Sequence, residues 1–352
     1  MTSVRFDGPA CPMPLADPER VQLGHGSGGK LSAALIRERF LPHLGNSYLA
    51  QLGDGAVVPI GGRELVVSTD TFVVSPLEFP GGNIGALAVH GTLNDVAMMG
   101  ARPMYLTAGF VLEEGLTMET LDRVVQTMAQ AANDAGVPLV TGDTKVVERG
   151  KADGMYINTT GIGLLDPDFR PAPHQARVGD LILVSGQIGR HGMAIMAVRE
   201  GLAFETTIES DTASLVPLVD RLREAAGDAV AVLRDPTRGG LASALNEIAQ
   251  ASSVGMRLEE RSVPVPVDVA AACEMLGLDP MYVANEGVLT AIVRPQAGDA
   301  ALAALRSHPL GRDATILGRV VVDHPGYVVL STAVGGTRVV DMLPGDQLPR
   351  IC

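Results

Sequence analysis

Apolar positions recur at two spacings along this chain of 352 residues, and the switch from one spacing to the other marks out its elements. Steps of three and four, which put side chains on one face of a helix, link Leu31, Leu35, Ile36 and Phe40, then Leu121, Val124, Val125, Met128 and Ala132, then Leu241, Leu245 and Ile248. The middle helix carries its own punctuation. Thr117 is placed to cap it, Glu119 lies in its first turn, and Gly136 stands past its end. Another helix is expected over 84–100, with Leu87, Gly91 and Met98 on its packed side, and two more at about 191–200 and 212–226. Val269, Cys273 and Leu276 share a helical face, which makes Cys273 a core residue. Short β-rich runs predict strands at 65–70, 137–140, 156–164, 178–185, 288–293, 314–322, 327–331 and 338–342.

The length suggests two domains, because single cores rarely grow beyond ~250–300 residues. Pro167, Pro171 and Pro173 cluster in 166–176 and mark the boundary. The expected organisation is an irregular lead-in over 1–20 that holds Cys11, a first domain over 21–165, a second over 177–342, and a flexible tail over 343–352.

Composition narrows the function. A net charge of −13 argues against nucleic acid or an anionic membrane as partner. It leaves nucleotides open, because a divalent cation bridges carboxylates to phosphates. With no Trp and 3% aromatics, stacking platforms for single strands are not expected. Three cysteines without Cys-x-x-Cys spacing fit a reducing compartment and exclude a thiolate zinc site, and no run approaches the ~18 apolar residues of a membrane span. The protein is expected in the cytoplasm.

Against that background, five stretches carry candidate chemistry. Gly26-Ser27-Gly28-Gly29-Lys30 combines open backbone N–H groups with a point charge, as a phosphate site needs, although its spacing is not that of a Walker A loop and a plain flexible loop is the other reading. Asp54, Asp70, Asp95 and Asp143 each lie beside Gly, Ser, Thr or Asn; with the glycine loop, Lys30 and Lys145 they are the ingredients of a Mg²⁺–triphosphate site. Asp235 to Gly240, with Arg238, opens a helix and is either an anion site or a capping turn. Glu286 stands in an apolar approach to a strand, where burial would raise its pKa toward that of a usable base; a turn carboxylate is the bland alternative. Cys352, at the end of the tail, is either a frayed terminus or a substrate-carrying thiol.

These motifs together resemble a known superfamily. His25 to Lys30, Ser68-Thr69-Asp70, Asn94 to Ala101, Gly142-Asp143-Thr144 and Asp235 to Gly240 are similar to the ATP-binding aminoimidazole-ribonucleotide-synthetase-like (PurM-like) proteins, which include selenophosphate synthetase and thiamine-monophosphate kinase. Within it, the ending Pro349-Arg350-Ile351-Cys352 resembles the HypE family of carbamoyl dehydratases of NiFe-hydrogenase maturation. The resemblance implies an α+β first domain that pairs with a second copy in a homodimer through a shared β-barrel, and an α/β sandwich as second domain. It implies ATP and Mg²⁺ as cofactors, with Gly26, Ser27, Gly28, Gly29, Lys30, Asn94 and Thr144 toward the nucleotide and Asp54, Asp70, Asp95 and Asp143 toward the metal. Asp235 and Arg238 would assist. A HypF-like carbamoyltransferase would load Cys352, Glu286 and Lys145 would serve the dehydration to a thiocyanate, and a HypC–HypD-like scaffold would take the cyanide. The alternatives are another phosphoryl-transfer enzyme of the superfamily, which needs no terminal cysteine, and a non-enzymatic thiol carrier.

Overall fold

The computed structural model describes residues 20–201, 208–343, 345, 348 and 350–352. The lead-in with Cys11, and Pro349 in the tail, lie outside the described residues.

Two sheets organise the molecule, one on each side of residues 166–176. The first has five strands in the order Ala56–Ile60, Arg63–Phe72, Met155–Leu165, Ala101–Glu113 and Leu139–Val147. All its pairings are antiparallel except the last, which is parallel. One face is covered by the helices Ile84–Met98 and Met118–Asp134, whose apolar side chains form a core with Phe72, Leu106 and Ile157. The opposite face carries exposed Tyr105, and the edge strand Leu139–Val147 is open to solvent over nearly its whole length. Within one chain this is an open sheet, and no closed barrel is formed among the described residues.

The second sheet has seven strands, in the order Thr337–Val340, Val328–Ser331, Gly255–Glu259, Thr315–Val321, Leu181–Val184, Thr290–Val293 and Val230–Arg234. Its central strands read as unbroken apolar runs because helices cover both faces: Leu181–Val184 and Thr290–Val293 are buried at every position. The helix Gly240–Ser252 packs Leu241, Leu245 and Ile248 on one side, and Val216–Ala226 packs Leu218 and Leu222 on the other. Cys273 is buried, as its helical spacing predicts.

The two halves meet along the Ile84–Met98 helix, which is buried nearly all round. Gly163 lets it lie directly on the first sheet, since a Cβ there would stand 2.4 Å from Val96. Asn94 binds it to the second half, its Oδ1 accepting from Leu215 N at 2.7 Å and its Nδ2 donating to Ala213 O at 3.0 Å. The next helix begins at Val216 and not at 212, because 211–215 is drawn out along this seam. Two strands also run further than expected. Asp70 and Asp143 sit inside Arg63–Phe72 and Leu139–Val147, paired across to Thr159 and Gly109, and not at the strand ends. Val125 departs from its predicted stripe and is exposed.

Candidate functional site

Five chain segments converge on one small pocket at the seam, lined by Asp70, Gly91, Asp95, Asp235, Thr237, Arg238, Glu286 and Cys352. Asp70 comes from the first sheet, Asp95 from the seam helix, and Asp235 from the turn after the edge strand of the second sheet.

Carboxylate oxygens of Asp54, Asp95 and Asp235 lie within 4.8 Å of one another. Burial raises all three acids, and their proximity adds to it: Asp54 is pushed up to about 6, Asp235 to about 7, and Asp95 well above the carboxylate range. Two contacts work against the rise. Ser68 Oγ donates to Asp95 Oδ2 at 2.8 Å, and Arg234 pairs with Asp54 at 2.7 Å. Three hard oxygen donors crowded together fit a divalent cation of the Mg²⁺ type, whose charge removes the repulsion that raises these pKa values.

Glu286 faces the same pocket from the second half. It is 3% exposed, and its Oε1 has no hydrogen-bond partner among the described residues. Burial raises its pKa well above the usual range, followed by the charges of Asp235, Asp211 and Asp70, while Arg238 works in the opposite direction. Asp211 fixes the turn beneath it by accepting from the backbone N–H groups of Glu286 (3.2 Å) and Gly287 (3.1 Å).

The described tail residues close the pocket. Ile351 bridges antiparallel to Val74, Val73 N donates to Cys352 O at 3.1 Å, and Ser75 N donates to Arg350 O at 3.1 Å. Ile351 and Leu348 are buried in the first core, and Arg350 pairs with Asp153 at 2.9 Å. The Cys352 side chain faces Glu286 across the pocket that both of them line. Burial pushes its thiol pKa far up, with Glu286 and Asp70 adding to the rise and Arg238 opposing it. In this position the sulfur is a thiol and not a thiolate.

The structure gathers some of the sequence candidates and scatters others. Asp54, Asp95, Asp70, Glu286, Cys352, Asp235 and Arg238 meet at the seam. Asp143, Thr144 and Lys145 do not. They stand on the exposed edge strand, where Lys145 Nζ pairs with Asp143 at 2.5 Å and holds its carboxyl below the usual range. Within one chain, Asp235 takes the place expected of Asp143 in the acidic group. Asn94 is committed to Ala213 and Leu215, and that leaves it a structural tie.

The glycine loop packs between the halves. Arg238 Nη1 donates to Gly26 O at 2.7 Å, Gly28 (φ +73°) lies too close to Arg238 O for a side chain, Lys30 Nζ pairs with Asp341 at 2.5 Å, and Gly29 would clash with Leu343 O if it carried a Cβ. Ser27 lines a second hollow beside Leu348 and Ile351. Sequence reasoning missed Asp211, Arg234 and His191, because Ser-Asp-Thr reads as a turn, Arg234 as a strand end, and His191 as an ordinary helix residue.

This two-domain α+β fold with an acidic cleft between its halves defines a protein of the AIR synthase related class. The N-terminal domain family of AIR synthase related proteins matches residues 52–165, and the C-terminal domain family matches 177–331. More specifically, the chain belongs to the HypE family: it is 54% identical over 332 residues to the carbamoyl dehydratase HypE of Bradyrhizobium diazoefficiens, a match covering 94% of this chain and 96% of that one. A crystal structure of HypE in complex with ATP superposes with a TM-score of 0.80 at 50% identity, covering 93% of this chain and 98% of the other. HypE in a HypE–HypF complex gives 0.84 at 45% identity, covering 88% and 100%. Among the described residues no helix is long and apolar enough to cross a membrane.

Proposed function

We propose that this chain is an ATP-dependent carbamoyl dehydratase whose substrate is the S-carbamoyl group on its own Cys352, and that it works in NiFe-hydrogenase maturation. The observation that carries the reading is the Cys352 side chain lying against a buried carboxyl in an acidic seam pocket.

The chemistry requires loss of the carbamoyl oxygen. Hydroxide is a poor leaving group, so the oxygen is first phosphorylated by ATP; removal of both N–H protons then expels phosphate and leaves Cys-S-C≡N with ADP and phosphate. Glu286 is the base. A raised pKa makes its carboxylate, once formed, a stronger proton acceptor, and Arg238 opposes part of the rise. Asp54, Asp95 and Asp235, with Asp70 beside them, would hold Mg²⁺, which supplies charge neutralisation for the triphosphate when bound. Ser27, the member of the glycine loop that lines the second hollow, would receive phosphate there, with Gly26, Gly28 and Gly29 beside it in the chain. Lys30 would reach it only on leaving Asp341.

The docked thiol is protonated and a weak nucleophile, so loading by a HypF-like carbamoyltransferase requires the tail to swing out. It swings out again to pass cyanide to a HypC–HypD-like scaffold. The open face of the first sheet and its bare edge strand favour a homodimer with a shared barrel, in which Asp143, Thr144 and Lys145 would serve a site across the pair. The cytoplasm suits an ATP-dependent reaction on a free thiol.

Intact mass after incubation with a HypF-like carbamoyltransferase, carbamoyl phosphate and ATP tests the reading. The carbamoyl adduct is expected to become lighter by one water, only with ATP and only with Cys352 present. A carbamoyl adduct that persists with ATP would exclude the dehydratase reading.

A further inference from the structure

The end of the chain is gripped along both of its backbone edges. On one edge it is a strand added to 73–75. On the other lies the helix Arg190–Arg199. His191, in the first turn and fully buried, has Nε2 2.5 Å from Ile351 O. Arg199, in the last turn, reaches across to the first edge, donating to Arg350 O and to Ser75 O. Between them Gly192 packs closely on Val283 and touches the tail, since a Cβ there would stand 2.6 Å from Val283 Cγ1 and 3.2 Å from Leu348 Cδ1.

The partners of His191 settle its proton. A carbonyl only accepts, so Nε2 carries the hydrogen. Nδ1 then accepts from Ser210 Oγ at 2.8 Å, and Ser210 Oγ in turn accepts from Thr212 N at 3.1 Å. The Phe79 ring packs edge-on at 5.5 Å. Burial pushes the imidazole down to about 4, so this one-proton form holds throughout the neutral range. The ring has both nitrogens engaged, and one of them is spent on the tail.

We propose that His191 is a positioning residue for the dehydration step: its Nε2–H latches the Ile351 carbonyl and so delivers the Cys352 side chain to Glu286. The inference rests on the reading of Cys352 as the carbamoyl carrier. It gives the latch opposite effects on the two halves of the cycle. Loading needs the tail outside and dehydration needs it inside, so releasing the latch shifts the population outward, speeding the first half and slowing the second. A damaged fold would slow both.

The test compares His191→Leu with His191→Gln, whose amide N–H replaces the donor. Cys352 alkylation by iodoacetamide is read peptide by peptide, with buried Cys273 as the internal control for folding. In His191→Leu, loss of one buried hydrogen bond is expected to raise Cys352 labelling about tenfold, with Cys273 still protected. Conversion of the carbamoyl adduct with ATP should fall about tenfold, and loading should not fall. His191→Gln should restore protection and conversion in large part. Unchanged Cys352 labelling with Cys273 protected would overturn the latch. If Cys273 of His191→Leu is also labelled, His191→Phe, which keeps an aromatic ring in the pocket without a donor, decides: faster Cys352 labelling with Cys273 protected supports the latch and unchanged Cys352 labelling overturns it. Should the unmodified chain itself fail to convert its adduct, the functional reading falls, while the labelling still judges the latch.

Discussion

Two aspartates beside small polar neighbours, Asn94-Asp95 and Asp143-Thr144, end in opposite surroundings, each with its own set of charges around it. Asp95 lies on the buried seam helix within reach of Asp54 and Asp235, and its charge is strongly disfavoured. Asp143 lies on an exposed edge strand, paired with Lys145, and its charge is favoured. The first set lacks enough positive charge, with Arg234 as its close ion-pair partner, and the second is neutralised where it stands. An acid held at an electrostatic cost is a better candidate for a functional role than one already satisfied, and this separates the aspartates better than motif membership does.

The largest effect is expected at Glu286, the seam acid that shares the pocket with Cys352 and carries no close ion pair of its own among the described residues. Glu286→Gln keeps the shape and removes the base, so conversion of the carbamoyl adduct is expected to fall by roughly 10²–10⁴-fold, with ATP binding retained. Near-normal conversion by this variant would mean that another group takes the proton.

Next comes the acidic triad, through pH and metal. Asp235 rises from 3.8 to about 7 and Asp54 from 3.8 to about 6. For an acid raised in the fold, the folded chain retains protons that the unfolded chain has released. Stability of the metal-free protein therefore falls as pH climbs from about 4 to about 7. Mg²⁺ needs the ionised acids, so its stabilising effect should grow over the same interval. Melting curves with and without Mg²⁺ across this range read both slopes, and Asp95→Asn should flatten both. Parallel curves would argue against a cation at this triad.

The smallest effect belongs to the exposed pair. Lys145→Ala should leave the melting temperature and the Mg²⁺ response of the seam nearly unchanged, because an exposed ion pair contributes little. A loss of conversion without a loss of stability would instead place Lys145 in the reaction, acting across a homodimer. Dimers mixed from Lys145→Ala and Cys352→Ala chains would reveal it by regaining conversion, since one site across the pair then holds both groups and the other neither.

Much of the fold was legible in the chain because its signals are local. Thr117 caps its helix as predicted, accepting from Thr120 N, and Leu241, Leu245 and Ile248 are fully buried. Strand lengths were less legible, since Asp70 and Asp143 are held in strands by cross-strand partners that sequence spacing does not reveal. The seam was legible only in part. Burial in an apolar approach pointed to Glu286, but the contact between Asp235 and the first-half acids joins residues more than a hundred positions apart. Nothing local tells Asp235 from a helix-opening turn residue, or His191 from an ordinary buried histidine.

The protonated state of the docked sulfur has a further consequence. Peroxide attacks a thiolate far faster than a thiol, and oxidation beyond the sulfenic acid is generally irreversible. Burial, with Glu286 and Asp70 beside it, raises the pKa of docked Cys352, and the docked tail thereby keeps this sulfur in the form least open to oxidative damage. The hazard is then confined to the intervals when the tail is out and the cysteine is not yet loaded, and a cell short of carbamoyl donor would lose this activity to oxidants sooner than one well supplied.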